Sequence, residues 1–90
     1  FGFELLIDEN EIVRSTTIRA LGVRKPPGWL QIMSRSLLDD NYVVQRAAMD
    51  ALLGDKEKGV PVLLSHVSKN PASKISSLAR NELQRIGLGR

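Results

Sequence analysis

The sequence predicts an all-α fold, an α-α superhelix of antiparallel helical hairpins, and three observations point there. One is an internal repeat: Asp39–Leu52 recurs about 31 residues earlier as Asp8–Leu21 and about 31 residues later as Asn70–Leu83. Across the copies Asp8, Asp39 and Asn70 are short hydrogen-bond acceptors, and Val13, Val44 and Ile75 are β-branched. Thr17, Ala48 and Ala79 are small, and Leu21, Leu52 and Leu83 are all leucine. Such a period marks supersecondary units that bury their apolar faces by stacking. The second observation is apolar spacing of three and four within each copy, as an amphipathic helix requires. The third is punctuation by turn residues at matching places, such as Lys25-Pro26-Pro27-Gly28 and Asp39-Asp40-Asn41.

Residues 1–7 read as the tail of a helix, although the alternation of Phe1, Phe3, Leu5 and Ile7 would also suit a short strand. The abrupt apolar start, without an initiator Met, reads as a piece of a longer chain. Asp8-Glu9-Asn10-Glu11 is a polar turn in which Asp8 or Asn10 can cap the next helix, Asp8 and Glu11 having capping-box spacing. That helix is expected from about Glu11 to Leu21, with Val13, Thr17, Ala20, Leu21 and more loosely Ile18 inward. Gly22 is its expected C-cap, and Pro26-Pro27 forbids continuation. The next helix runs from Pro27 or Gly28 to Leu38, with Trp29, Leu30, Ile32, Met33, Leu37 and Leu38 apolar and Gln31, Ser34 and Arg35 facing water. A helix follows from about Tyr42 to Leu53, with Val44, Ala47, Ala48, Ala51 and Leu52 inward. After the loop Gly54–Gly59, a helix over about Val60–Lys69 buries Val62, Leu63, Leu64 and Val67. Asn70-Pro71 supplies a cap, and the last helix, about Ser73–Ile86, turns Ile75, Leu78, Ala79, Leu83 and Ile86 inward. The whole is one repeat domain over 1–90, with repeats at about 1–22, 26–54 and 59–87.

These residues resemble the HEAT repeat, in its short HEAT-like or phycobilin-lyase-type form. That pattern places a leucine-rich helix before Asp-Pro-Asp/Asn, then Val-Arg, small residues and Ala-Leu-Gly. Here it reads Leu5-Leu6, Asp8-Glu9-Asn10, Val13-Arg14, Thr17, Ala20-Leu21-Gly22, and again Leu37-Leu38, Asp39-Asp40-Asn41, Val44-Gln45, Ala48, Ala51-Leu52. The third copy keeps Asn70-Pro71, Ile75-Ser76, Ala79, Leu83 and Gly87. The resemblance covers the whole chain and implies a short HEAT-like solenoid. It also implies a ladder in which the arginine after the valine joins the turn aspartates of successive repeats. Arg14, Asp8 and Asp39 match it, so Arg14 is expected to pair with Asp39. Gln45 and Ser76 replace the arginine later on, and Asn70 replaces the aspartate.

Composition narrows function. Thirteen basic and ten acidic residues leave a net charge of +3, dispersed without a run of like charges. Phe1, Phe3, Trp29 and Tyr42 are too few to stack bases, and the lack of cysteine removes disulfides and thiolate metal sites. No apolar run reaches the roughly 18 residues of a membrane span. One histidine, His66, cannot complete a metal site or a nucleophile–base–orienter set, and it reads as solvated or half-packed. Ser76 and Ser77 read as polar helix surface, Trp29 as packing and Tyr42 as a partly exposed lid. No catalytic, metal or cofactor residue is expected.

In the HEAT-like arrangement the second helix of each hairpin lines the concave face. Its off-stripe residues then form four columns: Arg14, Gln45 and Ser76; Ser15, Arg46 and Ser77; Ile18, Met49 and Arg80; Arg19, Asp50 and Asn81. Candidate binding residues are Arg14, Arg19, Gln45, Arg46, Met49, Asp50 and Arg80. The expected function is a protein-interaction scaffold for a peptide or folded partner. The alternatives are nucleic-acid binding through the same mildly basic face, which Asp50 interrupts, and an accessory role resembling bilin lyases.

Overall fold

The computed structural model describes residues 3–87. Among these lie a short 3-10 helix, Phe3–Ile7, and five α-helices: α1 (Glu11–Arg24), α2 (Trp29–Ser36), α3 (Tyr42–Leu53), α4 (Gly59–Lys69) and α5 (Lys74–Arg85). The described fold is all-α. The expected helix over 1–7 is a 3-10 helix in its described part, touching only α1, while Phe1 and Gly2 fall outside the described residues.

The repeated turns explain where the helices begin. Asn10 Oδ1 accepts from the Ile12 N–H at 2.8 Å, and Asn41 Oδ1 accepts from the Val43 N–H at 2.8 Å. Each asparagine thus satisfies an amide that the first helical turn leaves unpaired. Asp8 and Asp39 sit two residues earlier and accept from the N–H of Asn10 and Asn41, each at 2.8 Å, which shapes the turn without capping the helix. In the third repeat the position matching Asn41 is Ala72, and the cap moves to Ser73, which accepts from the Ser76 N–H at 3.2 Å. Asn70, expected to start that helix, instead ends α4.

Helix ends depart from expectation at two places. α1 runs through Gly22 to Arg24 and is capped by Lys25, whose backbone is left-handed at φ 51° and whose N–H donates to Leu21 O at 2.8 Å. Gly22 serves packing instead: a Cβ there would lie 2.7 Å from the Ala51 Cβ. α2 stops at Ser36, and i→i+3 bonds tighten the chain through Leu37 and Leu38 into Asp39.

The helices sort into two rows. α1, α3 and α5 form one, with α3 touching both others, and α2 and α4 form the second. Each helix meets only the elements one or two places away in the chain, and α1 does not reach α5. Ile18, Leu21, Met33, Leu37, Val44, Ala48, Met49, Leu52, Leu63, Ile75, Ala79 and Leu83 form the shared core with Trp29, Ala47 and Val60. Trp29 packs as expected, and Lys25 Nζ lies 5.4 Å from its ring centroid.

Neighbouring helices redraw the inward faces. Val13 and Ala20 are only half-buried, whereas Ser15 and Ile18 are buried. Ile18 lies one turn before Gly22, on the side of α1 that meets α3. Met49 sits on α3 about 200° from Ala51, the side turned away from α1. Ile18, placed loosely inward and also in an outward column, is inward at 1% exposed, and the expectation that Met49 faces outward is wrong, since it is 0% exposed. Ser76 is buried as well, accepting a hydrogen bond from the Ser73 hydroxyl at 2.8 Å. Leu38 and Leu64, expected inward, are exposed.

Candidate functional site

The expected binding residues separate into three groups. Arg14 and Gln45 belong to the turns. The Arg14 guanidinium donates to both Asp39 carboxylate oxygens at 3.1 Å, to Asp8 O at 2.7 Å and to Glu9 O at 3.1 Å. A further contact reaches Asp40 at 3.5 Å. Gln45 Nε2 donates to Asp39 O, the bond that Arg14 makes to Asp8 one repeat earlier. Gln45 is too short and uncharged to extend the ladder to the next turn. Arg14 and Gln45 are thus committed to holding the repeat, and Met49 is core. Arg14 and Gln45 are half-buried, and Met49 is fully buried.

Arg19, Arg46, Asp50 and Arg80 remain exposed. Arg46 faces Asp50 at 4.0 Å across one helical turn, and Arg80 donates to Pro71 O at 3.0 Å and to the Ser77 hydroxyl at 3.2 Å. Arg19 and Asp50 line a shallow hollow of about 280 Å³ between α1 and α3, with Val23 and Lys25. This face is polar and of mixed sign.

The larger concavities lie in the other row, beside α2. A trough of about 610 Å³ runs between α2 and α4. Leu30, Ser34, Val62 and His66 form its half-buried or buried floor, and Gln31, Leu38, Pro61, Ser65 and Lys69 are its exposed walls. Ser34 on the floor and Ser65 on the wall are the two serines that line it. On the opposite flank of α2 a hollow of about 700 Å³ is lined by Leu6, Ile7, Ile32 and Arg35. Gln31 and Leu38 line both, so α2 is a ridge between two apolar furrows. Leu38 on this ridge is 65% exposed and Ile7 is 81% exposed. Sequence reasoning missed this surface because it assigned every leucine of the helix to the core. The signal was present in the surplus of apolar residues around α2, more than one stripe can bury.

His66 corrects another expectation. It is 6% exposed, and its Nε2 is sealed from solvent without a protein partner among the described residues. Asn70 Nδ2 donates to His66 O at 3.1 Å and lies 3.5 Å from Nδ1. Burial pushes the imidazole below its ordinary value of 6.5, favouring the neutral ring. Tyr42 is half-buried, and Lys74 Nζ lies 4.5 Å from its ring centroid.

Two carboxylates are tuned by their turns. Partial burial works against ionised Asp39, but the Asn41 N–H and the Arg14 guanidinium outweigh it and hold its carboxyl below 3.8. The Lys58 N–H at 3.0 Å, aided by Lys25 Nζ at 3.2 Å, holds Asp55 below the same value. Among the described residues no group of three potential ligands could hold a metal ion, and no helix is long and apolar enough to cross a membrane. Comparison with protein-family models, curated proteins and solved structures gave no match.

Proposed function

We propose that the chain is a HEAT-like helical-repeat module, a short solenoid of hairpins, that holds a segment of another protein in the trough between α2 and α4. The observation that carries this reading is the trough itself: an apolar depression of about 610 Å³ with Leu38 standing 65% exposed on its wall. Burying an apolar wall of this kind favours association in proportion to the area removed from water. The repeat period, the duplicated turns and the nearest-neighbour contacts of the helices support the solenoid. Its mechanism is display of a rigid surface, with Arg14, Gln45 and Met49 holding the frame. The face carrying Arg19, Arg46 and Arg80 favours nucleic acid less, because Arg46 and Arg80 already have partners within the chain.

A photo-crosslinking residue placed at Ser65 or Gln31, and separately at Arg46 or Arg80, tests the assignment. The expected result is one protein species captured from the trough positions and lost on Leu38→Asp. Capture from Arg46 or Arg80, insensitive to Leu38→Asp, would move the binding surface to the other row.

A further inference from the structure

We infer that the segment held in the trough is an amphipathic helix with acidic residues beside its apolar stripe, an inference that rests on the binding role proposed for the trough. Peptides are held by a few recurring modes, and the structure separates them. Strand addition needs an open sheet edge, and the described residues contain no strand. Polyproline recognition needs an aromatic-lined groove, and no aromatic residue lines the trough. A helix laid between two helices needs a furrow with small residues at its base and aliphatic walls. Ser34 supplies a small residue on the floor, and Leu38 with Pro61 and Ser65 the walls.

Charge sets the second property of the occupant. Lys69 stands on the trough wall at the last turn of α4, and Arg35 lines the adjoining furrow across the α2 ridge. Neither cation has an ion pair within the described residues, whereas Arg14, Lys25, Arg46 and Arg85 all do. No carboxylate lines the trough, and Asp39, the one acid in the adjoining furrow, is held by Arg14. Lys69 on the α4 wall of the trough and Arg35 on the far flank of the α2 ridge complement glutamate or aspartate on either side of a leucine stripe. The same cations repel a basic helix of identical apolar content, so they supply selectivity as well as attraction.

Three labelled helical peptides test this against the full chain by fluorescence anisotropy. All carry leucine at alternating spacings of three and four, with glutamate, glutamine or lysine flanking the stripe. The glutamate peptide is expected to bind about fivefold tighter than its lysine twin at low salt, two exposed pairs being worth about 1 kcal/mol together. The gap should narrow in high salt. The double variant Arg35→Glu/Lys69→Glu, checked for unchanged helicity, should reverse the preference. Equal binding of the glutamate and glutamine peptides, lost on Leu38→Asp, would overturn the charge assignment and leave the trough as a binding site. Binding indifferent to Leu38→Asp, or no binding by any of the three, would overturn both readings. Self-association of the unmodified chain that Leu38→Asp abolishes would place a second copy in the trough and overturn the inference.

Discussion

Arg14 grips Asp39 with a two-point fork, Nε and Nη2 each 3.1 Å from a carboxylate oxygen, while Nη1 closes the turn ahead of its own helix on Asp8 O at 2.7 Å. One side chain therefore ties two successive turns together. Gln45 keeps the second of these functions and loses the first.

That division predicts an ordered series. Arg14→Gln should lower the urea midpoint, and Arg14→Ala should lower it further, because glutamine can still reach its own turn. Arg14→Lys should behave more like alanine than like arginine, since an ammonium cannot make the fork. Equal midpoints for Arg14→Ala and the unmodified chain would show the ladder to be idle.

Stability should fall with acid in two stages. Folded His66 binds its proton less readily than unfolded His66, so its contribution is full above about pH 6.5 and declines as pH falls through that value. Asp39 and Asp55 have depressed folded values, so their contribution is present above about pH 4 and is lost as pH falls through the lower folded values. His66→Met should remove the first stage and leave the second. It should also raise stability near neutrality by about 1 kcal/mol, because a buried nitrogen without a partner is replaced by an apolar group. Thermal melts between pH 8 and 3 would read both effects, and an unchanged first stage in His66→Met would refute the assignment.

Two glycines are set by close approach of neighbouring helices. A Cβ on Gly59 would run into the Leu52 carbonyl and lie 2.8 Å from the Leu52 Cα, backbone that cannot move aside cheaply. A Cβ on Gly22 would meet the Ala51 Cβ at 2.7 Å. Gly59→Ala should cost about 1–3 kcal/mol or more through overpacking. Gly22→Ala should cost less, because alanine returns about 1 kcal/mol of helix propensity. Gly54→Ala, where the nearest atom would be 3.4 Å away, should be neutral or slightly stabilising. Chemical denaturation of the three variants checks the order.

The Met49 and Arg46 positions discriminate core from surface on α3. Met49→Ala removes a fully buried side chain and should cost about 2–5 kcal/mol, against about 0.5 kcal/mol or less for Arg46→Ala. Similar small losses at both sites would return Met49 to the surface.

The sequence by itself determined the repeat, all five α-helices to within a few residues, and Asp8 or Asn10 as the cap of α1, while the Arg14–Asp39 pair was implied by the family resemblance and is present in the structure. The repeat, the helices and the cap are local or periodic properties: a cap needs one acceptor at one place, and an amphipathic helix repeats its apolar spacing within one stretch. Tertiary structure alone decided which sides of each helix are covered. Hydropathy encodes one stripe per helix, but α3 is flanked by α1 and α5 while also packing on α2 and α4, so Ala47, Ala51, Val44 and Met49 face neighbours in several directions. Ser15, Ser76 and His66 are polar enough to read as surface, and only the closeness of adjacent helices shuts them in. Leu38 shows the converse, a leucine that the sequence places inside and that the end of α2 leaves on a ridge. The trough beside it is lined jointly by α2 and α4, a meeting of two surfaces that no single stretch of sequence contains.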